Sequence, residues 1–174
     1  MKNLELKAIA TSLPRFRRVL RELGARQEPH SLDQVDWYFT TPRGRLKLRQ
    51  RKGESEAELI FYVRPDATRA RTSEYQKLPV ADPPGILRLL RVMFEPGACV
   101  RKRRDLWLYG ETRVHLDRVA GLGTFVEIEV PFTGDPTEAR RAMTMLRDRL
   151  GIGPGDVLAC SYADLLAGRG ARQE

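Results

Sequence analysis

Alternation of apolar and polar residues is the main pattern of this sequence. In residues 2–9, KNLELKAI, apolar side chains alternate with Asn3, Glu5 and Lys7. A period of two is typical of a β-strand whose two faces meet different surroundings. The same period runs through residues 100–130, VRKRRDLWLYGETRVHLDRVAGLGTFVEIEV, and predicts three further strands there.

Shorter segments in the first half of the chain carry the same strand pattern. Residues 35–39 and 45–51 predict a hairpin around a turn at residues 42–44, PRG, because proline and glycine suit tight turns. Residues 57–65, AELIFYVRP, predict another strand. Residues 66–79 are polar, and they predict a loop that leads into a short strand.

Four other segments predict helices. Ser12 suits the start of the first and Gly24 its end, because serine accepts hydrogen bonds from free N–H groups and glycine tolerates a left-handed conformation. Residues 135–138, DPTE, predict a capping box with proline as the first residue of another helix. The other two are predicted for residues 86–94, ended by Pro96 and Gly97, and for residues 156–168.

Length and composition narrow the class of protein. The 174 residues suit one domain, and we expect residues 168–174 to fray as a tail. Lys and Arg number 31 against 23 Asp and Glu, and the resulting net charge of +8 indicates an anionic partner. No apolar run reaches membrane-spanning length and the two cysteines form no motif, so we expect a reduced, cytoplasmic protein outside any membrane.

Charged residues in the segment 100–130 keep to one face of each predicted strand. Lys102 and Arg104 share one parity, so Arg101 and Arg103 are expected to point the other way. Neutral polar residues are rare on these faces, whereas an ordinary solvent-exposed strand mixes them with charges. A solvent-exposed charged face still explains each strand taken alone.

A closed barrel with helices packed on the outside would bring these charged faces together in one lumen. Many cations held close together repel one another unless an anion and some carboxylates lie among them. Glu127 and Glu129 share one parity in the last strand and provide such carboxylates. The lumen therefore predicts a polyphosphate bound by Lys and Arg, with a divalent metal between phosphate and carboxylate oxygens.

Nucleic-acid binding is the main alternative from another class of function. The run RKRRDLW and the net charge of +8 prompt it. It needs Lys and Arg clustered outward, whereas strand alternation turns every second residue of this run inward. We therefore expect no nucleic-acid partner.

Two other features are interpreted as structural. His115 occurs in a context where a histidine is more often structural than catalytic. Gly121 and Gly123 suggest a phosphate loop, but they lack the helix and the spacing of a dinucleotide-binding fold. A turn before the acidic strand is the better interpretation of these glycines.

Eight segments, in order along the chain, carry a resemblance to a known family. They are NLELK at residues 3–7, DWYF and GRLKLR between residues 36 and 49, FYVRP at 61–65, RTSEY at 71–75, VRKRR at 100–104, HLDRVAGLGTFVEIE at 115–129 and SYADLL at 161–166. Together they resemble the CYTH superfamily of triphosphate tunnel metalloenzymes. That superfamily includes class IV adenylate cyclases, thiamine triphosphatases and inorganic triphosphatases.

The resemblance implies an α+β fold, namely an antiparallel eight-stranded β tunnel with helices packed outside. It implies a metal-dependent enzyme, and the GLGTFVEIE and SYADLL segments favour a class IV adenylate cyclase-like conversion of ATP to cyclic AMP and pyrophosphate. Hydrolysis of tripolyphosphate, thiamine triphosphate or a nucleoside triphosphate is an alternative, as is a non-catalytic polyphosphate-binding protein. The resemblance also hints at a homodimer.

The resemblance implies the site residues position by position. Triphosphate binding falls on Lys7, Lys47, Arg49, Arg64, Lys102, Arg104 and Arg113, with Lys7 and Arg104 as the catalytic pair. Binding of Mg²⁺ or Mn²⁺ falls on Glu5, Asp117, Glu127 and Glu129, although Asp117 has orientation of a basic neighbour as its alternative role. The first glutamate of the family pattern is replaced by Asn3, which offers the metal a neutral oxygen.

Overall fold

Nine strands and four α-helices make up the computed structural model, which describes residues 2–63, 67 and 69–170. The strands are β1 (Lys2–Ile9), β2 (Arg26–Gln27), β3 (Leu32–Phe39), β4 (Arg45–Arg51), β5 (Ala57–Val63), β6 (Arg71–Val80), β7 (Pro96–Tyr109), β8 (Thr112–Val119) and β9 (Gly123–Pro131). The helices are α1 (Leu13–Glu22), α2 (Pro83–Met93), α3 (Thr137–Leu150) and α4 (Tyr162–Gly170).

Eight of the strands close into an antiparallel barrel. Their order is β7-β3-β4-β5-β6-β1-β9-β8, and the barrel closes because β8 pairs back with β7. Strand β7 is 14 residues long, so its first part pairs with β3 and its second part with β8. The short strand β2 adds to β7 outside the barrel. The predicted α+β fold with an eight-stranded antiparallel tunnel is confirmed.

Helices α1 and α3 cover the outer face of β1 and β9. Leu6 and Ile128 point outward from these strands and belong to one apolar core with Leu20 of α1 and Leu146 of α3. Because this outer face is covered and the inner face turns into the barrel, six consecutive residues of β1 are buried. Asn3, Glu5 and Lys7 of β1 therefore lie in an enclosed environment, away from bulk solvent.

The start of α3 differs from the predicted capping box. The helix begins at Thr137, whose N–H and hydroxyl donate to the Asp135 carboxylate at 3.1 and 2.9 Å, so Pro136 lies before the first helical residue. Glu138 is then too early in the helix to reach back to the capping residue. It instead accepts a hydrogen bond from Arg141 at 2.6 Å.

Three further sequence predictions are corrected by the structure. Residues 71–80 form the long strand β6 instead of a loop and a short strand, and Pro96 and Gly97 begin β7. The last helix starts at Tyr162, after a 3-10 turn at Pro154–Asp156 and a bridge between Val157 and Ala8. Polarity misled the prediction for β6, because its inner face lines the lumen while most of its outer face is exposed.

Both ends of the described chain also bear on the predictions. Residues 168–170, expected to belong to a frayed tail, are part of α4, and residues 171–174 lie outside the described residues. Among the residues that the structure describes, no helix combines the length and apolarity needed to cross a membrane.

Two glycines in neighbouring turns test how tightly the barrel hairpins are packed. Gly44 has φ +68°, and a Cβ there would lie 2.6 Å from the Tyr62 carbonyl oxygen, whereas Gly53 has φ +87° with nothing within 4 Å. Both substitutions by alanine carry a left-handed strain of about 1–2 kcal/mol. We expect Gly44→Ala to lower the free energy of unfolding clearly more than Gly53→Ala, as measured by urea denaturation. Equal losses would contradict the close packing of this turn.

Candidate active site in the barrel lumen

The inner faces of the barrel strands form a charged cavity. Strand β7 contributes Lys102 and Arg104, which are 6% and 5% exposed, while Arg101 and Arg103 lie in solvent. This orientation confirms the predicted parity. The predicted site residues that line the cavity are Glu5, Lys7, Lys47, Arg49, Lys102, Arg104, Glu127 and Glu129.

Of the other three predicted site residues, the structure describes two, and neither lines the cavity. Arg113 is half-buried and contacts the cavity through Glu129, whose Oε2 accepts from Arg113 Nε at 3.0 Å. Asp117 is completely buried behind Arg104. Arg64 lies outside the described residues.

Three cations on one side of the lumen surround a single carboxylate, and we call Lys47, Arg49 and Lys102 the basic wall. Asp36 of β3 accepts from Arg49 Nε and Nη2 at 2.7 and 2.8 Å. Lys102 Nζ donates to the same carboxylate at 2.9 Å, and Lys47 Nζ donates to it at 3.3 Å. Asp36 is 0% exposed, so this group is a buried charge cluster with more cations than anions.

Burial and charge act in opposite directions on the groups of this cluster. Burial raises the pKa of Asp36, but the charges of Arg49, Lys102 and Lys47 outweigh it and hold the pKa well below its usual value. Burial lowers the pKa of Lys102 to about 7, opposed by Asp36 and assisted by Arg49 and Arg104. The basic wall is therefore short of negative charge, which a bound anion would supply.

Arg104 connects the two sides of the lumen and is held from behind. Its Nε and Nη2 donate to Asp117 Oδ1 and Oδ2, each at 2.7 Å, and Nη2 also donates to Glu127 at 2.9 Å. The Tyr162 hydroxyl of α4 donates to Asp117 at 2.8 Å, and the Lys7 Nζ lies 3.8 Å from the centre of the Tyr162 ring. Since its oxygens bind Arg104 and Tyr162, the position of Asp117 favours orientation of Arg104 over metal binding.

Glu5, Glu127 and Glu129, here called the acidic wall, lie on the neighbouring strands β1 and β9. Glu5 is paired in register with Glu129. Burial raises the pKa values of Glu127 and Glu129, but neighbouring groups outweigh burial and lower both. For Glu127 the main opposing groups are Lys7 and His115. For Glu129 they are His115 and Arg113. Both side chains are therefore ionised at neutral pH.

The acidic wall fits a divalent cation by its chemistry. Carboxylate oxygens are the ligands that Mg²⁺ and Mn²⁺ prefer. Oxygens of Glu127 and Glu129 and a ring nitrogen of His115 lie within 4.8 Å of one another. The His115 Nδ1 is buried and makes no hydrogen bond among the described residues. A buried nitrogen without a partner, beside two carboxylates, is an arrangement that a cation would satisfy.

Comparison with known proteins places this geometry in a family. The CYTH domain model matches residues 1–162. The chain belongs to the CYTH family. Members of this family typically are enzymes, bind triphosphate substrates in the tunnel and depend on metal. No match to a curated protein reaches significance.

Solved structures share the fold of this chain. The PH1012 protein of Pyrococcus horikoshii OT3 has a TM-score of 0.84 and 26% identity, over 94% of this chain and 98% of that one. A conserved hypothetical protein of Pyrococcus furiosus has a TM-score of 0.83 and 24% identity, over 94% and 99% of the chains. A protein of Vibrio parahaemolyticus, named as a candidate adenylate cyclase, has a TM-score of 0.76 and 20% identity, over 95% and 97%.

Sequence reasoning omitted two residues that hold the CYTH lumen together. Asp36 has the same parity as Tyr38, which lines the cavity, so the alternation argument applied to β3 would have found it. Tyr162 belongs to a helix, where alternation carries no information. Its inward position depends on how α4 packs against the barrel, and one contact of that packing is an ion pair of 2.9 Å between Asp164 of α4 and Arg45 of β4.

Asp36→Asn tests whether the basic wall depends on its one central carboxylate. The substitution leaves Arg49 and Lys102 buried without their shared counter-charge, which typically costs about 3–5 kcal/mol. We expect the free energy of unfolding to fall by that amount in a urea titration. Asp33→Asn, at an exposed position of the same strand, is the matched control and should change stability by less than about 0.5 kcal/mol. Similar small effects of both variants would show that the cluster is not charge-balanced through Asp36.

Proposed function

We propose that this CYTH protein is a metal-dependent enzyme that binds ATP through its triphosphate and forms cyclic AMP and pyrophosphate, as class IV adenylate cyclases do. The observation that carries the proposal is the lumen itself, in which a largely buried basic wall and a largely buried acidic wall line one cavity. Phosphate oxygens complement the charge of the basic wall, and a divalent cation complements the charge of the acidic wall. The lumen thus matches the two components of a metal–triphosphate complex.

Triphosphate binding is assigned to the cations of the lumen. The basic wall has three cations against the one carboxylate of Asp36, so it attracts an anion strongly at low local dielectric. Lys7 and Arg104, both in contact with Glu127, lie where the two walls meet. We assign Lys7 and Arg104 the role of stabilising the negative charge that develops on the reacting phosphate. Arg113 and Arg64 are proposed as further phosphate ligands.

Metal binding is assigned to the acidic wall. Mg²⁺ or Mn²⁺ would be held by Glu5, Glu127 and Glu129. A bound ion there would neutralise negative charge on the phosphates and on the leaving group. Asp117 remains behind Arg104 as its orienting partner. The chain's own residues then fix the triphosphate in line for displacement.

The reaction proposed is an internal displacement within ATP. The ribose 3′ oxygen forms a bond to the α-phosphorus, and the bond from that phosphorus to the oxygen bridging to the β-phosphate breaks. Pyrophosphate leaves with the bonding electrons, and the hydroxyl proton passes to solvent. The products are cyclic AMP and pyrophosphate in equal amounts.

An aromatic sector of the lumen favours a nucleotide over inorganic tripolyphosphate. Ile60 and Tyr62 of β5 and Tyr75 of β6 line the same cavity as the charged residues, and Tyr62 and Tyr75 are paired in register. Inorganic tripolyphosphate has no apolar part to contact these side chains. A nucleobase does, because its flat face stacks on aromatic rings.

An end-product assay tests the proposed activity. Purified protein is incubated with Mn²⁺ and ATP, tripolyphosphate or thiamine triphosphate, and cyclic AMP, pyrophosphate and phosphate are measured. Cyclic AMP with equimolar pyrophosphate supports the proposal. Phosphate without cyclic AMP would instead identify a triphosphatase, and tight binding without any product would identify a non-catalytic polyphosphate-binding protein. The homodimer and the cytoplasmic location remain predictions.

Neighbouring residues of β7 provide a matched test of the lumen. We expect Lys102→Ala to raise the apparent KM for ATP at least about tenfold, because it removes a charged contact worth about 1.5–3 kcal/mol. Arg101→Ala, one position away and exposed, should leave KM unchanged. Equal losses in the two variants would mean that triphosphate binds outside the lumen.

The aromatic sector is tested by comparing two substrates. Tyr75→Ala should raise KM for ATP about tenfold, since stacking of a base is worth about 1–3 kcal/mol. KM or Kd for tripolyphosphate should stay within about twofold. Tyr75→Phe keeps the ring and serves as the control. An equal effect on both ligands would remove the argument for a nucleotide.

A further inference from the structure

His115 lies beside Glu127 and Glu129, outside the set of residues that line the cavity, and the proposed chemistry leaves it unused. It projects inward from β8, is 5% exposed, and lies in register opposite Glu127 of β9. Its Nδ1 is 3.6 Å from Glu127 Oε2 and 3.6 Å from Glu129 Oε1. These separations are too long for hydrogen bonds, and Nδ1 has no hydrogen-bond partner among the described residues.

Such an arrangement is costly unless something lies between the three groups. A buried polar nitrogen without a partner costs about 1–3 kcal/mol, and two ionised carboxylates side by side repel each other. Ligand atoms bound to one small cation at about 2.0–2.2 Å lie roughly 3–3.5 Å apart from one another. The observed separations of 3.6 Å are close to that spacing.

Two of the cations that contact these carboxylates, Lys7 and Arg113, bind oxygens other than the two nearest to His115. Lys7 is 3.5 Å from Glu127 Oε1, and Arg113 donates to Glu129 Oε2 at 3.0 Å, so each contacts an oxygen that points away from His115. Arg104 shares Glu127 Oε2, but its two bonds of 2.7 Å to Asp117 anchor it independently. Lys7 and Arg113 are thus not on the side where His115 meets the carboxylates, and Arg104 is a cation on that side that Asp117 already holds in place.

We propose that His115 Nδ1 is a nitrogen ligand of a divalent cation bound together with Glu127 and Glu129. An imidazole nitrogen beside carboxylates favours Mn²⁺ and other transition metals over Mg²⁺, which prefers oxygen ligands alone. His115 therefore sets the metal preference of this protein. The inference deepens the proposed function and rests on it for what the metal does, but the binding site is defined by the chain without any triphosphate.

The test uses Mn²⁺ alone and has a spectroscopic readout. Electron spin-echo envelope modulation detects ¹⁴N coupling when a nitrogen binds Mn²⁺. The chain has two histidines, His115 and the exposed His30, so His30→Gln is a matched control for His115→Gln. We expect ¹⁴N coupling in the unmodified protein and in His30→Gln, and its loss in His115→Gln.

Affinity gives a second, independent readout. By calorimetry, His115→Gln should weaken Mn²⁺ binding at least about tenfold, as loss of a metal-site partner commonly does. Mg²⁺ binding should weaken less, so the preference for Mn²⁺ over Mg²⁺ falls. His115→Asp replaces the nitrogen by oxygen and keeps a ligand. It should bind Mn²⁺ without ¹⁴N coupling, which covers the case in which the glutamine variant does not fold.

Several outcomes would overturn the inference. The inference is contradicted if the unmodified protein binds Mn²⁺ without ¹⁴N coupling or binds no Mn²⁺ at all. It is also contradicted if the coupling persists in His115→Gln. The proposed function fails separately. If Mn²⁺ is bound by nitrogen but no triphosphate is converted, the metal site is supported and the proposed activity is wrong. If cyclic AMP is formed while Mn²⁺ has only oxygen ligands, the activity is supported and the His115 ligand is wrong.

Discussion

Burial of charge is the constraint on which the rest of this structure depends. Taking ionised side chains out of water costs several kcal/mol for each group unless opposite charges lie within hydrogen-bonding distance. Asp36 meets this requirement for Arg49 and Lys102, and Asp117 meets it for Arg104. These two carboxylates have no apolar substitute, because each compensates charges contributed by other strands. Loss of either charge would leave buried cations without their counter-charge, which is strongly destabilising.

The two faces of each strand have different roles: outward side chains stabilise the fold, and inward side chains line the lumen. On β1 and β9, Leu6 and Ile128 pack under the helices, while Glu5, Lys7 and Glu127 occupy the lumen side. The apolar shell supplies the free energy that offsets the buried ions. Because alternate residues separate the two roles, the lumen can vary chemically without any change in the core.

Much of this lumen was predictable because a period of two needs no knowledge of the neighbouring strands. Lys102 and Arg104 point inward, and Arg101 and Arg103 outward, as alternation alone requires. What alternation cannot provide is the identity of partners across the barrel. Asp36 and Lys102, 66 residues apart in sequence, meet only because β3 and β7 pair in a particular register. The extent of β6 and the inward aim of Tyr162 were likewise matters of tertiary packing.

The place of β1 in the barrel has a consequence for how the protein is made. The first strand of the chain is inserted between β6 and β9, and Lys7 is paired in register with Glu127 near the other end of the sequence. A nascent chain therefore carries Glu5 and Lys7 long before their partners exist, and such distant pairings form late because loop closure is entropically costly. No fragment lacking β9 can assemble the lumen. The lumen is therefore complete only once β9 has paired with β1.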